Sequence, residues 1–240
     1  GSPLAVPWRG PSPISRWTWN MYYSTRKRKE ESLLKYYKEI KTKEGFTLSI
    51  DMVTIDYSIS SSAARDELAK ILDNLPLLYA VEVRHWSSLR IGTFRENFVL
   101  KFQDQTSFWL GVGLNAHKPL WGRSRIEFNP NKVANHKVFL ELLGWFNIHS
   151  LRMNSIIKRF DLAIDIPFGR QSVRLLKDRR VYTERRHGQE WTEYLGKSST
   201  VGRVKLYNKT VEAGLNYPLT RLELTLDPAI PFQEIPWPSV

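Results

Sequence analysis

The sequence predicts an α+β fold: a central, mostly antiparallel sheet with helices largely on one face. Three observations predict it. Segments 46–59, 156–166, 202–208 and 219–226 read as strands, rich in β-branched and apolar residues with polar residues at a period of two. Stretches with apolar residues at helical spacing lie between them. Short apolar runs separated by turn residues fill 79–113.

The bulk composition narrows the function. A chain of 240 residues forms one large domain, or one domain with extensions, with ample core. Zero cysteines exclude disulfides, thiolate metal sites and Cys nucleophiles, and are compatible with a cytoplasmic protein. The His residues are dispersed, so no locally written His pair can hold a metal. No apolar run approaches the ~18 residues of a membrane span, and no signal peptide is evident. Gly1-Ser2 reads as the remnant of a cleaved tag. The formal charge is +12, carried with nine Trp, ten Tyr and eleven Phe. Excess cations with interspersed aromatics suit a phosphate backbone plus base stacking.

In chain order, residues 3–20 hold four Pro and three Trp. That Pro density forbids a regular helix, so this arm either packs along the body or stacks on bases. Residues 26–41 read as a mostly basic helix with Leu33, Tyr36 or Tyr37, and Ile40 as its stripe. On the strand at 46–59, Asp51 and Asp56 are expected on opposite faces. Ser60 to Ser62 cap a helix that Pro76 stops, with Ala64, Leu68 and Ile71 or Leu72 inward. Strands are expected at 79–85, 89–94, 97–103 and 106–113, then a basic loop. The strand through R-I-E-F-N-P-N-K puts Arg125 and Glu127 on one face and Ile126 and Phe128 on the other. A helix covers about 136–146, with Val138, Leu142 and Trp145 or Phe146 apolar.

Two segments carry chemistry. On 156–166, Arg159, Asp161, Ala163 and Asp165 share one face. Two carboxylates on a strand of otherwise core character are costly unless something positive binds them, either a divalent cation or Arg159. Mg²⁺ or Mn²⁺ suits oxygen ligands without Cys. Residues 170–178 read as a short helix, followed by a basic run from Arg179 to His187. On the strand at 202–208, Val204 and Leu206 alternate with Arg203, Lys205 and Tyr207, and Lys209 follows. A phenol with a pKa near ~10 is a poor nucleophile unless cations or a metal stabilise its anion. This face offers cations, although a half-exposed strand with solvated basic residues accounts for the same pattern. On the last strand, Arg221 and Glu223 share a face. The tail after it has four Pro, reads as a linker, and leads to the expectation of a further domain.

Taken together these segments resemble the rolling-circle replication initiators of bacterial plasmids whose relaxase domain uses a single Tyr, and the related relaxases of conjugative elements. I-D-M-V-T-I at 50–55 is similar to the family's I-D-Y-L-T-V strand. R-F-D-L-A-I-D at 159–165 is similar to R-[LI]-D-[IL]-A-[IV]-D-D. Residues 194–209 are similar to Y-x-G-S-R-x-S-x₃-R-x₃-Y-x-K, and T-R-L-E-L after them to R-[YF]-E-[LI]. Ile166 stands where the family has a second Asp, Lys197-Ser198 where it has Ser-Arg, and Thr200 where it has Ser.

The resemblance implies a relaxase domain over 46–226 with a ferredoxin-like core, flanked by an arm and basic helix over 1–45 and a tail over 227–240. It implies Tyr207 as nucleophile, with Tyr194 as the competing candidate, and Arg203, Lys205 and Lys209 steadying the phenolate and the scissile phosphate. Asp161 and Asp165 would hold the metal, with Glu127 and Glu223 as further ligands. The partner would be origin DNA, as a hairpin or single strand. A host helicase and a second copy of the chain are the other partners it adds. A non-catalytic DNA-binding module of the same fold is the alternative, and an RNA-binding or hydrolytic nuclease domain a third reading.

Overall fold

A computed structural model describes residues 39–59, 61–78, 81–88, 94–113, 123–133, 135–149, 155–197 and 202–227. They form one continuous antiparallel sheet with few helices, the expected α+β class. The strands are β1 (Ile40–Lys41), β2 (Thr47–Ser58), β3 (Val81–Ser87), β4 (Glu96–Phe102), β5 (Ser107–Val112), β6 (Arg123–Phe128), β7 (Ile156–Ile166), β8 (Tyr182–His187), β9 (Glu190–Leu195), β10 (Val204–Asn208) and β11 (Thr220–Leu226). The helices are α1 (Ser62–Leu78), α2 (Pro130–Val133), α3 (Lys137–His149) and α4 (Lys209–Glu212).

The strand order is β3-β4-β5-β6-β2-β7-β11-β10-β9-β8, with β1 beside the start of β2. Within it, β7-β2-β6-β5 together with α1 and α3 has the order of a β-α-β-β-α-β ferredoxin-like unit. Strands β3 and β4 extend the unit on one side and β11–β8 on the other. The four strands expected to meet, β2, β7, β11 and β10, are consecutive neighbours.

Alternation sets the two faces. On one, Val53, Ile55, Tyr57, Leu100, Leu110, Ile126 and Phe128 are buried. Helix α3 closes over them through Phe139, 4.7 Å from Phe128, and Phe146, 5.0 Å from Tyr57. Burying each such side chain contributes roughly 1.5–3 kcal/mol. The opposite face carries the polar residues described below.

Some local expectations change. The Ser61 hydroxyl accepts from Ala64 N–H and caps α1, but α1 continues two residues past Pro76. Proline removes one donor in the last turn, and the neighbouring bonds carry the helix on. Residues 170–178 hold only a 3₁₀ turn, Arg170–Ser172. Arg174 and Lys177 beyond it lie over the rings of Trp191 and Tyr182, which draws the segment out along the β8–β9 hairpin. Of the expected helix at 26–41, only 39–41 are described, and Ile40–Lys41 form β1. The arm at 3–20, most of the 89–94 strand and the tail from 228 lie outside the described residues.

Candidate active site

Cross-strand register aligns the polar face into rows. One runs Thr47–Asp165–Arg221–Tyr207–Thr192–Arg185, from β2 to β8. The next runs Ser49–Ala163–Glu223–Lys205–Tyr194–Thr183. Beyond it, Asp161 sits between Met52 and Thr225, and Thr54 between Arg159 and Glu127. Neighbouring strands lie ~4.8 Å apart, so these side chains form one contiguous surface.

The start of β2 joins this surface through a bulge between Ile50 and Met52. The extra residue shifts the alternation, so Asp51 and Asp56 share a face rather than lying on opposite ones. The junction of β6 and α2 pins the bulge: Asn131 Nδ2 donates to Ile50 O at 2.8 Å, and Asn129 Nδ2 to Asp51 Oδ1 at 3.1 Å.

Tyr207 is the centre of the surface. Its residue is 5% exposed, and its hydroxyl donates to Glu223 Oε1 at 2.7 Å. Burial pushes the phenol's pKa up, and the Glu223 carboxylate pushes it further. Arg221 opposes them, but the net direction is well upward. The resting phenol is therefore neutral. The cations expected to steady a phenolate act differently: Lys205 Nζ lies 3.8 Å from the Tyr207 ring centroid, over its face, and 3.6 Å from Glu223 Oε2. Lys209 begins α4, 5.8 Å from the same centroid, and pairs with Glu212. Arg203 turns to Tyr194, with its guanidinium 4.3 Å from that ring centroid.

Arg221 frames the site. It forks onto Asp165 at 2.6 and 2.8 Å and reaches Asp51 Oδ1 at 3.2 Å. Arg159 does the same for Asp161 at 3.0 and 2.6 Å. The Asp161 hydrogen bonds hold this guanidinium charged against the cost of burial, and the charges of Asp161, Glu127 and Glu223 add to that. Glu127 Oε2 accepts from the Thr54 hydroxyl at 3.4 Å.

The four expected metal ligands thus share the face but not a point. Asp161 and Asp165 are four residues apart on β7, ~13 Å along a strand, a long reach for two short side chains to share one ion. Each has its own guanidinium instead, so arginine offsets both charges. Among the described residues, no three His, Asp or Glu side chains converge on a metal position. The donors are all oxygens, which suits a hard cation, but the arrangement does not fit one while Arg159 and Arg221 occupy them. Asp51, Arg221, Thr54 and Asn129 also belong to the site. Their signal in the sequence was weak: Arg221 reads only as the partner of Glu223 in alternation, and the bulge hides Asp51.

No family model matches the chain, and no curated protein does. Among solved structures it is similar to the rolling circle replication initiator protein from Geobacillus stearothermophilus, at 14% identity and a TM-score of 0.46, over 76% of this chain and 75% of that chain. Among the described residues, no helix is long and apolar enough to cross a membrane.

Proposed function

We propose that this chain is a site-specific DNA nicking and closing enzyme that initiates rolling-circle replication of a plasmid or conjugative element, with Tyr207 as nucleophile. The observation that carries the reading is the 2.7 Å hydrogen bond from the Tyr207 hydroxyl to Glu223, on a face that also holds Lys205 and Arg221. A neutral phenol needs a proton acceptor as it attacks, and Glu223 is in hydrogen-bond reach of that proton.

The step balances with these residues and water. Tyr207 Oη forms a bond to phosphorus as its proton passes to Glu223. The bond from phosphorus to the 3′-oxygen breaks, that oxygen takes a proton from water, and the hydroxide left behind is neutralised by the proton that Glu223 then releases. The products are a 5′-phosphotyrosine and a 3′-OH that can prime synthesis. The phosphodiester energy stays in the covalent link, so the strand can be rejoined without ATP. Lys205 covers the Tyr207 ring in the resting protein. An incoming phosphate competes for its ammonium, so docking draws the lysine off the ring and onto the non-bridging oxygens, where cations stabilise developing charge.

Divalent metal chemistry is a separate proposal. Glu127, Asp161 and Glu223 are the carboxylates whose charges act on Arg159. A bound Mg²⁺ or Mn²⁺ would supply Lewis-acid stabilisation, and it would have to compete with Arg159 for these oxygens. No step above runs through it.

The test uses a hairpin substrate labelled at either end. Tyrosine attack predicts that the 3′-terminal label migrates with denatured protein while the 5′-terminal label leaves as a free oligonucleotide. Two free fragments would indicate hydrolysis. Tight binding with neither product, on substrates carrying the cognate origin, would favour a non-catalytic origin-binding module.

A further inference from the structure

Resting on that reading, we infer that the polar face of β8–β10 is a binding track for single-stranded DNA, so the strand approaches Tyr207 from the β8 edge. Arg185, Tyr194, Arg203 and Lys205 are its contact residues.

The charge on this face divides at Tyr207. Toward β7, β2 and β6, Asp51, Asp161, Asp165, Glu127 and Glu223 outnumber the Arg159 and Arg221 that pair with them, so this side disfavours a phosphate chain. Toward β8, the rows through Lys205, Tyr194 and Thr183 and through Thr192 and Arg185 hold no carboxylate, and the next row sets Glu190 opposite His187 at the hairpin's end. The hairpin's two acidic residues on facing positions, Glu184 and Glu193, point to the other face. There they are taken up by Arg186 and Arg170. Neither Arg185 nor Arg203 has a carboxylate partner among the described residues, although Arg203 is half-buried.

Cations on an edge strand also guard against pairing with another chain. That explains Arg185 on β8. It does not explain Arg203 and Lys205, which flank and occupy the interior strand β10, nor a half-buried guanidinium beside an aromatic ring with no carboxylate partner among the described residues. A phosphate backbone with stacked bases does explain them: Arg203 and Arg185 lie 4.3 and 5.8 Å from the Tyr194 ring centroid, so one aromatic platform is bracketed by two phosphate-seeking groups. Tyr194 therefore acts as a stacking platform and not as a nucleophile. Two glycines frame the track. Gly196 (φ 90) follows β9 and Gly202 (φ 77) precedes β10, both in left-handed conformations, and Gly202 N–H donates to Thr225 O at 2.7 Å.

The test is fluorescence anisotropy of a labelled single-stranded oligonucleotide, with salt titration, on the whole chain carrying Tyr207→Phe to prevent cleavage. Tyr194→Ala is expected to weaken binding roughly 5- to 150-fold and Tyr194→Phe by less than about threefold, because the phenyl face still stacks. Arg185→Ala and Arg203→Gln should each lower the log–log salt slope by about 0.7, with Arg203→Lys restoring it. Thermal melting identifies any variant whose fold is lost. Folded variants with wild-type affinity and slope would overturn the track, as would losses confined to duplex DNA or to RNA. Adduct formation by the Tyr207 enzyme is read separately. An adduct without these binding losses sinks the track alone, and the losses without an adduct sink the nicking reading alone.

Discussion

Replacing Glu223 by Gln isolates the proton transfer. Glutamine keeps an oxygen where Tyr207 donates, 2.7 Å away, but is neutral and cannot accept the phenol proton. The structural cost is small. The pair with Lys205 spans 3.6 Å with the lysine side chain 34% exposed, and such pairs contribute about 0–1 kcal/mol. The hydrogen bond to Tyr207 weakens from charge-assisted to neutral, about another 1 kcal/mol. Loss of a positioned base costs far more in rate, roughly 10²- to 10⁴-fold. Glu223→Gln is therefore expected to melt within a few degrees of wild type and to bind single-stranded DNA at least as tightly. Single-turnover adduct formation on a quenched-flow time course should fall at least about 10²-fold. A rate within threefold of wild type would refute Glu223 as proton acceptor. A rate lost together with the fold would refute the claim that its role is chemical.

Other consequences are independent of that step. Arg221→Ala leaves Asp165 and Asp51 without their guanidinium and should destabilise the protein by about 3 kcal/mol, read by urea denaturation. Arg221→Lys should recover only part of this, because lysine lacks the fork. At Glu193, burial pushes the carboxyl up, but Tyr182 and Arg170 more than offset it and the net direction is down. Its stabilisation is thus present above the unfolded carboxylate pKa, ~4.3, and is lost as pH falls through the lower folded value. Glu193→Gln should be less stable at pH 7 by about 3 kcal/mol and show a shallower acid loss than wild type in the same denaturation series. Arg159→Ala removes the guanidinium that a cation must displace, so Mn²⁺ should bind this variant more tightly than wild type by calorimetry. Equal affinities would separate the metal question from Arg159.

Much of the fold was legible because its signals are local. Alternation in 156–166 and 219–226 placed Asp161, Asp165 and Glu223 on one surface, and the ends of β7 fall at the expected residues. The helical stripes through Leu68 and Leu142 are buried as expected. What escaped depends on register and on polar edges. β8 is an edge strand whose residues from Thr183 to His187 are all exposed, so it carries no apolar alternation to read. The Asp51–Arg221 contact joins residues 170 apart and depends on a one-residue bulge. The partner of Tyr207 lies 16 residues on, across a strand pair whose register a single sequence does not encode locally. Alternation put cations beside Tyr207 but could not say that Lys205 would cover the ring and Arg203 would turn to Tyr194.

Peptide mapping of the trapped covalent complex tests the identity of the nucleophile most directly. Wild-type protein is reacted with an origin oligonucleotide, denatured, treated with nuclease and protease, and its peptides are sequenced by mass spectrometry. Attack by Tyr207 predicts a nucleotidyl mass on that residue alone, unchanged in Tyr194→Phe and absent in Tyr207→Phe. The same mass on Tyr194, or an adduct that survives Tyr207→Phe, would contradict it.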